Sequence, residues 1–233
     1  ITCVETFDYD VVDKMAKKDP DKVAMLHISK DGKERSFTFY DMARYSSKVA
    51  NYLQFLGIKK GDRVMLVLKR HYQFWFAILA LHKIGAVAIP ATNLLLKSDF
   101  EYRFKAGNVD AILCTADGPV SREVDKACRS YKNLKVKIMV GASRKGWRSF
   151  NKEVKYFSSH FRRPHGENAI HGDDPSIMFF TSGTTSYPKI TTHNFKYPLG
   201  HYVTAKYWHQ VDPDGIHFAI SDTGWGKALW GKI

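Results

Sequence analysis

Phe179-Phe180-Thr181-Ser182-Gly183-Thr184-Thr185-Ser186-Tyr187-Pro188-Lys189 is the stretch on which the reading of this chain turns. Before it, Asp174 to Phe180 reads as a turn followed by a short buried strand. After it, Thr191, Thr192 and Asn194 offer helix caps ahead of an amphipathic run from Phe195 to Trp208. The expected order is therefore strand, then a loop of small hydroxyl residues and Gly with one Lys, then helix. That order is the layout of an anion cradle. Free backbone N–H groups and short hydroxyls donate to phosphate oxygens, and the Lys adds positive charge.

Two phosphate loops compete for this stretch. The Walker A pattern G-x-x-x-x-G-K-[ST] finds its first Gly at Gly183 and its Lys at Lys189. Pro188 stands in place of the second Gly and has no N–H to donate, and Ile190 replaces the hydroxyl that would hold magnesium. The Walker reading fails at both places. The run instead resembles the T-S-G-[ST]-T-G-x-P-K signature of the acyl-adenylate-forming, AMP-binding enzymes. Thr181, Ser182, Gly183, Thr184, Thr185, Pro188 and Lys189 match it. Ser186 departs, standing where that family usually has Gly; a positive φ there would cost Ser on the order of 1–2 kcal/mol.

Two further stretches are similar to the same family. Leu81-His82-Lys83-Ile84-Gly85-Ala86-Val87-Ala88-Ile89-Pro90 resembles its upstream helix-to-strand segment. Its reading is structural, with Gly85 as a left-handed helix cap and Pro90 ending a strand. Ile220-Ser221-Asp222-Thr223-Gly224-Trp225-Gly226-Lys227 resembles the segment leading into the carboxylate pocket of acetyl- and medium-chain acyl-CoA synthetases. The resemblance covers essentially the whole chain.

Length and composition agree with a packed domain. At 26.7 kDa a compact chain buries roughly 70% of its unfolded surface. Hydrophobic residues at 44% and charged residues at 25% are globular values. The formal charge of +13 suits polyanionic ligands such as ATP and coenzyme A. The basic residues are dispersed, as in Lys59-Lys60, Lys69-Arg70, Arg144-Lys145 and Arg162-Arg163, so charge alone motivates a nucleic-acid-binding alternative and no RNA-binding motif supports it. Cys3, Cys114 and Cys128 have neither C-x-x-C spacing nor a His cluster, so no zinc site is expected, and a reducing, cytoplasmic setting is. The apolar run Phe74 to Leu81 is too short to cross a bilayer, and no signal peptide is visible.

The remaining pattern is alternating. Strands are expected at 23–29 and 34–38, then at 62–68, 86–90, 111–115 and 135–140. Helices are expected at 10–18, 40–56, 72–84, 97–106 and 120–129. Continuous apolar strands separated by helices imply an α/β fold with mainly parallel sheets flanked by helices, and ligands beyond the carboxyl ends of the strands. The irregular stretch 141–171, with a short helix near 150–158, is expected to join two sub-sheets. The division expected is a first α/β subdomain over 1–170 and the start of a second over 171–233, the latter carrying the phosphate loop.

The resemblance implies ATP-dependent activation of a carboxylic acid to an acyl-adenylate and transfer of the acyl group to coenzyme A. It implies an acid–thiol ligase of fatty acid metabolism with ATP, Mg²⁺, the acid and CoA as small-molecule partners. Thr181, Ser182, Gly183, Thr184, Thr185 and Ser186 would hold the phosphates, and Lys189 would stabilise charge on the leaving pyrophosphate. Trp225 would wall an acyl pocket or pack in the core; Gly226 beside it leaves room for a medium or branched chain. Lys227 would point outward, and His193 reads as a cap-region residue rather than a base. The family's later motifs are not recognisable, so the expectation is an incomplete N-terminal domain of an acyl-CoA synthetase-like enzyme, without its C-terminal domain and unable to turn over alone. A non-catalytic nucleotide- or acyl-binding module is the alternative.

Overall fold

The computed structural model describes residues 6–181, 187–218 and 221–226. A π-helical turn Asp8–Val12 runs into α1 (Asp13–Lys18). Strands β1 (Val23–Ile28) and β2 (Glu34–Thr38) then form an antiparallel pair. The turn between them uses Gly32 at φ +75. Helix α2 (Phe39–Phe55) starts where expected: the Thr38 hydroxyl accepts from the Asp41 N–H, and the Asp41 carboxylate accepts in return from the Thr38 N–H. This reciprocal cap satisfies two donors that the first helical turn would leave orphaned.

Next come β3 (Arg63–Val67), α3 (Gln73–Ile84), β4 (Val87–Pro90), α4 (Lys97–Gly107), β5 (Ala111–Thr115), α5 (Val120–Ala127) and β6 (Val136–Val140). A two-residue strand β7 (Arg148–Ser149) leads into α6 (Phe150–Glu153). The chain then passes through β8 (Pro175–Thr181), β9 (Lys189–Asn194), α7 (Tyr197–Val203) and a second π-helical turn, Thr204–Trp208. Gly85 ends α3 at φ +79, its N–H bonded to the carbonyls of Leu81 and His82, as a left-handed cap requires.

Seven strands form one sheet in the order β7-β6-β5-β3-β4-β8-β9. All neighbouring pairs are parallel except β8–β9. The α/β reading with a mainly parallel, helix-flanked sheet is thus what the chain adopts. The stretch 141–171, expected to join two sub-sheets, instead runs between β6 and β8 of one seven-stranded sheet and contains β7, because β8 pairs with β4.

The side-chain alternation of the strands explains the two layers of helices. On one face Val64, Leu66, Ala111, Leu113, Ile138 and Val140 pack with Val49, Tyr52 and Leu53 of α2 and most of α3. On the other, Met65, Val67, Ile112, Cys114 and Met139 pack with Phe100 and Phe104 of α4 and Val120 and Val124 of α5. Successive strand residues point to opposite faces, so a strand covered on both sides must be apolar throughout. Among the described residues no helix is long and apolar enough to cross a membrane.

Candidate functional site

The parallel strands β3, β4, β5, β6 and β8 end on one edge of the sheet, at Val67, Pro90, Thr115, Val140 and Thr181. Sheets of this kind place ligands beyond that edge. The hydroxyl-rich loop springs from it, directly after β8. Ser182, Gly183, Thr184, Thr185 and Ser186 lie outside the described residues; Thr181 before them and Tyr187, Pro188 and Lys189 after them do not. Thr181 and Lys189 are paired across the β8–β9 hairpin, and the Thr181 hydroxyl donates to the Lys189 carbonyl at 3.4 Å.

Helix α4 fixes the returning limb of this hairpin. The Tyr102 hydroxyl donates to the Pro188 carbonyl at 2.8 Å, and its ring stacks on Tyr187 with centroids 4.9 Å apart. Phe180, one residue before Thr181, packs edge-on to Tyr102, and the Arg103 guanidinium lies 5.2 Å from the Phe180 ring centre. Both ends of the loop are therefore held by one helix face. Lys189 is exposed, and no carboxylate among the described residues lies within 4.0 Å of its ammonium group. An exposed cation without an acid partner, at the mouth of a loop of donors, suits an anionic group.

The expected strand–loop–helix order is corrected here. The loop is followed by strand β9, and α7 begins only at Tyr197. Thr191 and Thr192 are strand residues rather than caps. Their β-branched side chains favour the pleated conformation, and pairing with Phe179 and Met178 supplies the hydrogen bonds a cap would have supplied. The described limbs on either side of the loop thus form a β-hairpin, and the next helix, α7, begins only after β9. His193, expected near a helix start, sits in β9 opposite Ile177. Its ring lies 4.4 Å from that of Tyr197, and burial lowers its pKa.

A second polar group at the same edge escaped the sequence reading. The loops after β3 and β5 leave in opposite directions, one toward β4 and one toward β6. Adjacent strands that part in this way open a crevice between them. Lys69, His71, Thr115 and Asp117 converge there. His71 Nε2 is 2.8 Å from Thr115 Oγ1 and 3.8 Å from Asp117 Oδ2, and Lys69 Nζ is 3.9 Å from the same carboxylate oxygen. The Asp117 N–H donates to Thr115 Oγ1 at 3.1 Å. Burial lowers the His71 pKa against the opposing pull of Asp117. The available signal was position: each of the four closely follows the end of an expected strand, or closes it.

The Trp225 segment reaches this same edge. The Thr223 hydroxyl donates to the Lys69 carbonyl, and Gly224 donates to Asp222 Oδ1 at 2.9 Å. A Cβ on Gly224 would fall 2.4–2.7 Å from backbone atoms of Ala91 and Thr92, so only Gly allows this approach to the end of β4. Trp225 is 63% exposed, and Gly226 is half-buried beside it. Lys227 lies outside the described residues.

Comparison with known proteins bears on the family and the fold. A family model described as AMP-binding enzyme matches residues 12–230. The chain is 32% identical over 236 residues to acyl-coenzyme A synthetase ACSM3, mitochondrial, of Homo sapiens, a match covering 97% of this chain and 39% of that protein. It is 30% identical over 235 residues to acyl-coenzyme A synthetase ACSM4, mitochondrial, of Rattus norvegicus, covering 97% and 40%. The solved structure of Brucella canis acyl-CoA synthetase matches with a TM-score of 0.80 at 24% identity, over 90% of this chain and 37% of that one, a likeness of fold. The chain spans about two fifths of the length of the curated relatives it matches. Both relatives are named as mitochondrial, which overturns the cytoplasmic expectation. Cysteine usage had reported a reducing environment, and redox state does not identify an organelle.

Proposed function

The chain belongs to the AMP-binding enzyme family, and from that premise we propose that it supplies the phosphate-binding part of an AMP-forming acid–thiol ligase. A carboxylate oxygen attacks the α-phosphorus of ATP, the bond to the β-phosphate bridging oxygen breaks, and pyrophosphate leaves. The coenzyme A sulfur then attacks the acyl carbon, losing its proton, and AMP departs. The observation that supports this most is the hairpin at the carboxyl end of β8, with Thr181 facing Lys189 and the Lys189 ammonium free of any acid among the described residues.

In this reading Ser182, Gly183, Thr184, Thr185 and Ser186 donate to the β- and γ-phosphate oxygens, with Thr181 at the loop's base. Lys189 offsets the charge that develops on departing pyrophosphate. Mg²⁺ would enter with the nucleotide as part of the substrate and would offset negative charge on its phosphates. Trp225 bounds the acyl group and Gly226 leaves space beside it, which favours a medium or branched fatty acid. The names of the relatives support a mitochondrial setting.

The test is acid-dependent exchange of labelled pyrophosphate into ATP, using protein that contains this chain and straight and branched acids of increasing length. Exchange peaking with medium or branched acids supports the proposal. No exchange with any carboxylate overturns it.

A further inference from the structure

An open groove of about 460 Å³ lies far from the loop, at the amino ends of β6 and β7 and the opposite edge of the sheet. Its floor is apolar, built from Cys128, Tyr131, Leu134, Val136 and Trp147. Every charged side chain lining it is a cation: Lys132, Lys135, Lys137 and Arg148. Three of these are already neutralised from behind. Lys135 pairs with Asp62 at 2.7 Å, Lys137 with Asp125 at 2.6 Å and Arg148 with Glu153 at 2.7 Å. Lys132 is different: its amine donates to the Cys128 carbonyl at 3.2 Å, and no carboxylate among the described residues lies within 4.0 Å of it.

The chemistry of a ligand follows from these contacts. One uncompensated cation calls for a monoanionic head group, since a polyanion would find most of the surrounding charge already spoken for. No ring is free to stack a base. Trp147 is buried, with the Lys137 ammonium 5.1 Å from its ring centre and its indole N–H donated to Asp125. Tyr131 leans on Phe104 and gives its hydroxyl to the Val109 carbonyl. What remains is a strip of aliphatic and ring-edge surface beside one ammonium group, and its volume falls within the usual range for small-molecule sites. We infer that this groove binds an aliphatic carboxylate, its tail over Leu134 and Val136 and its head at Lys132. The site is separate from the proposed reaction centre and does not depend on it.

Cys128 provides the readout, because a ligand seated in the groove covers its thiol while Cys114 is already buried in the core. Alkylation of Cys128 by iodoacetamide is followed by peptide mass mapping, with decanoate as the probe. At decanoate about tenfold above its dissociation constant, mass action slows alkylation about tenfold. Lys132→Glu abolishes this protection, Lys132→Arg retains it, and thermal melting checks that both variants are folded. Lys189→Ala leaves protection intact, so failure of the proposed reaction and failure of this site are distinguishable. Equal alkylation with and without decanoate overturns the inference. So does equal protection by decanol, which lacks the charge, or by inorganic phosphate, which lacks the tail.

Discussion

Tyr102 of α4 and Pro188 of the loop's returning limb are joined by a 2.8 Å hydrogen bond, the phenol donating to the proline carbonyl. Pro188 cannot donate to a ladder, so its carbonyl and the stacked Tyr187 ring are what the helix can grip. Tyr102→Phe removes the bond and keeps the stack. It is expected to cost about 1 kcal/mol in urea denaturation, the usual net worth of such a bond. Tyr102→Ala also loses the stack and is expected to cost more, and to raise the ATP concentration needed for pyrophosphate exchange. Equal stability of all three proteins would show that α4 does not hold the loop.

Gly85 and Gly57 both adopt positive φ, at +79 and +87, yet their surroundings differ. A Cβ on Gly85 would lie 3.0 Å from Ile170 Cγ1 and 3.1 Å from Lys60 Cγ, whereas one on Gly57 meets nothing within 4 Å. Gly57→Ala therefore tests backbone strain alone, about 1–2 kcal/mol. Gly85→Ala adds crowding where α3 turns into β4, and its melting temperature is expected to fall further than that of Gly57→Ala.

Asp8 is fully buried beside Lys83 and Asp13. Burial raises its pKa from the ordinary 3.8 to about 7, with Lys83 opposing and Asp13 adding to the rise. The folded state thus takes up a proton that the unfolded chain releases near pH 4. The Asp8 contribution to stability is fully present in acid and is lost as pH rises toward 7. Buried His82, lowered to about 4, acts in the opposite sense, losing stability as pH falls below its ordinary 6.5. Comparing Asp8→Asn with the parent cancels the His82 slope. The variant's relative stability is expected to rise between pH 4 and pH 7 and then level off. A pH-independent difference between the two proteins would contradict the burial argument.

Much of this architecture is legible in the residues. Thr38 announces α2 because a hydroxyl three residues before Asp41 makes a reciprocal cap, and Gly85 announces the end of α3 because a left-handed turn there suits only Gly. The apolar strands are legible because a strand covered on both faces has no room for polar side chains. What failed was local competition after the loop. Thr191, Thr192 and Asn194 are cap residues by type, but Thr191 and Thr192 are also strand residues by branching, and pairing with β8 decided between the two. β7 has two residues, too few to carry a period. The Lys69–His71–Thr115–Asp117 group was missed because its members come from the carboxyl ends of two separate strands, β3 and β5, and only strand order makes those ends neighbours.

The central claim is that Lys189, opposite Thr181 at the foot of the hairpin, steadies the phosphates that leave. Its most direct test is acid-dependent ATP–pyrophosphate exchange by protein containing this chain, with Lys189 and with Lys189→Ala. Loss of one charge-stabilising group at such a centre is expected to slow exchange about 100-fold or more while leaving the melting temperature unchanged. Exchange by the folded variant at the parent rate would contradict the account.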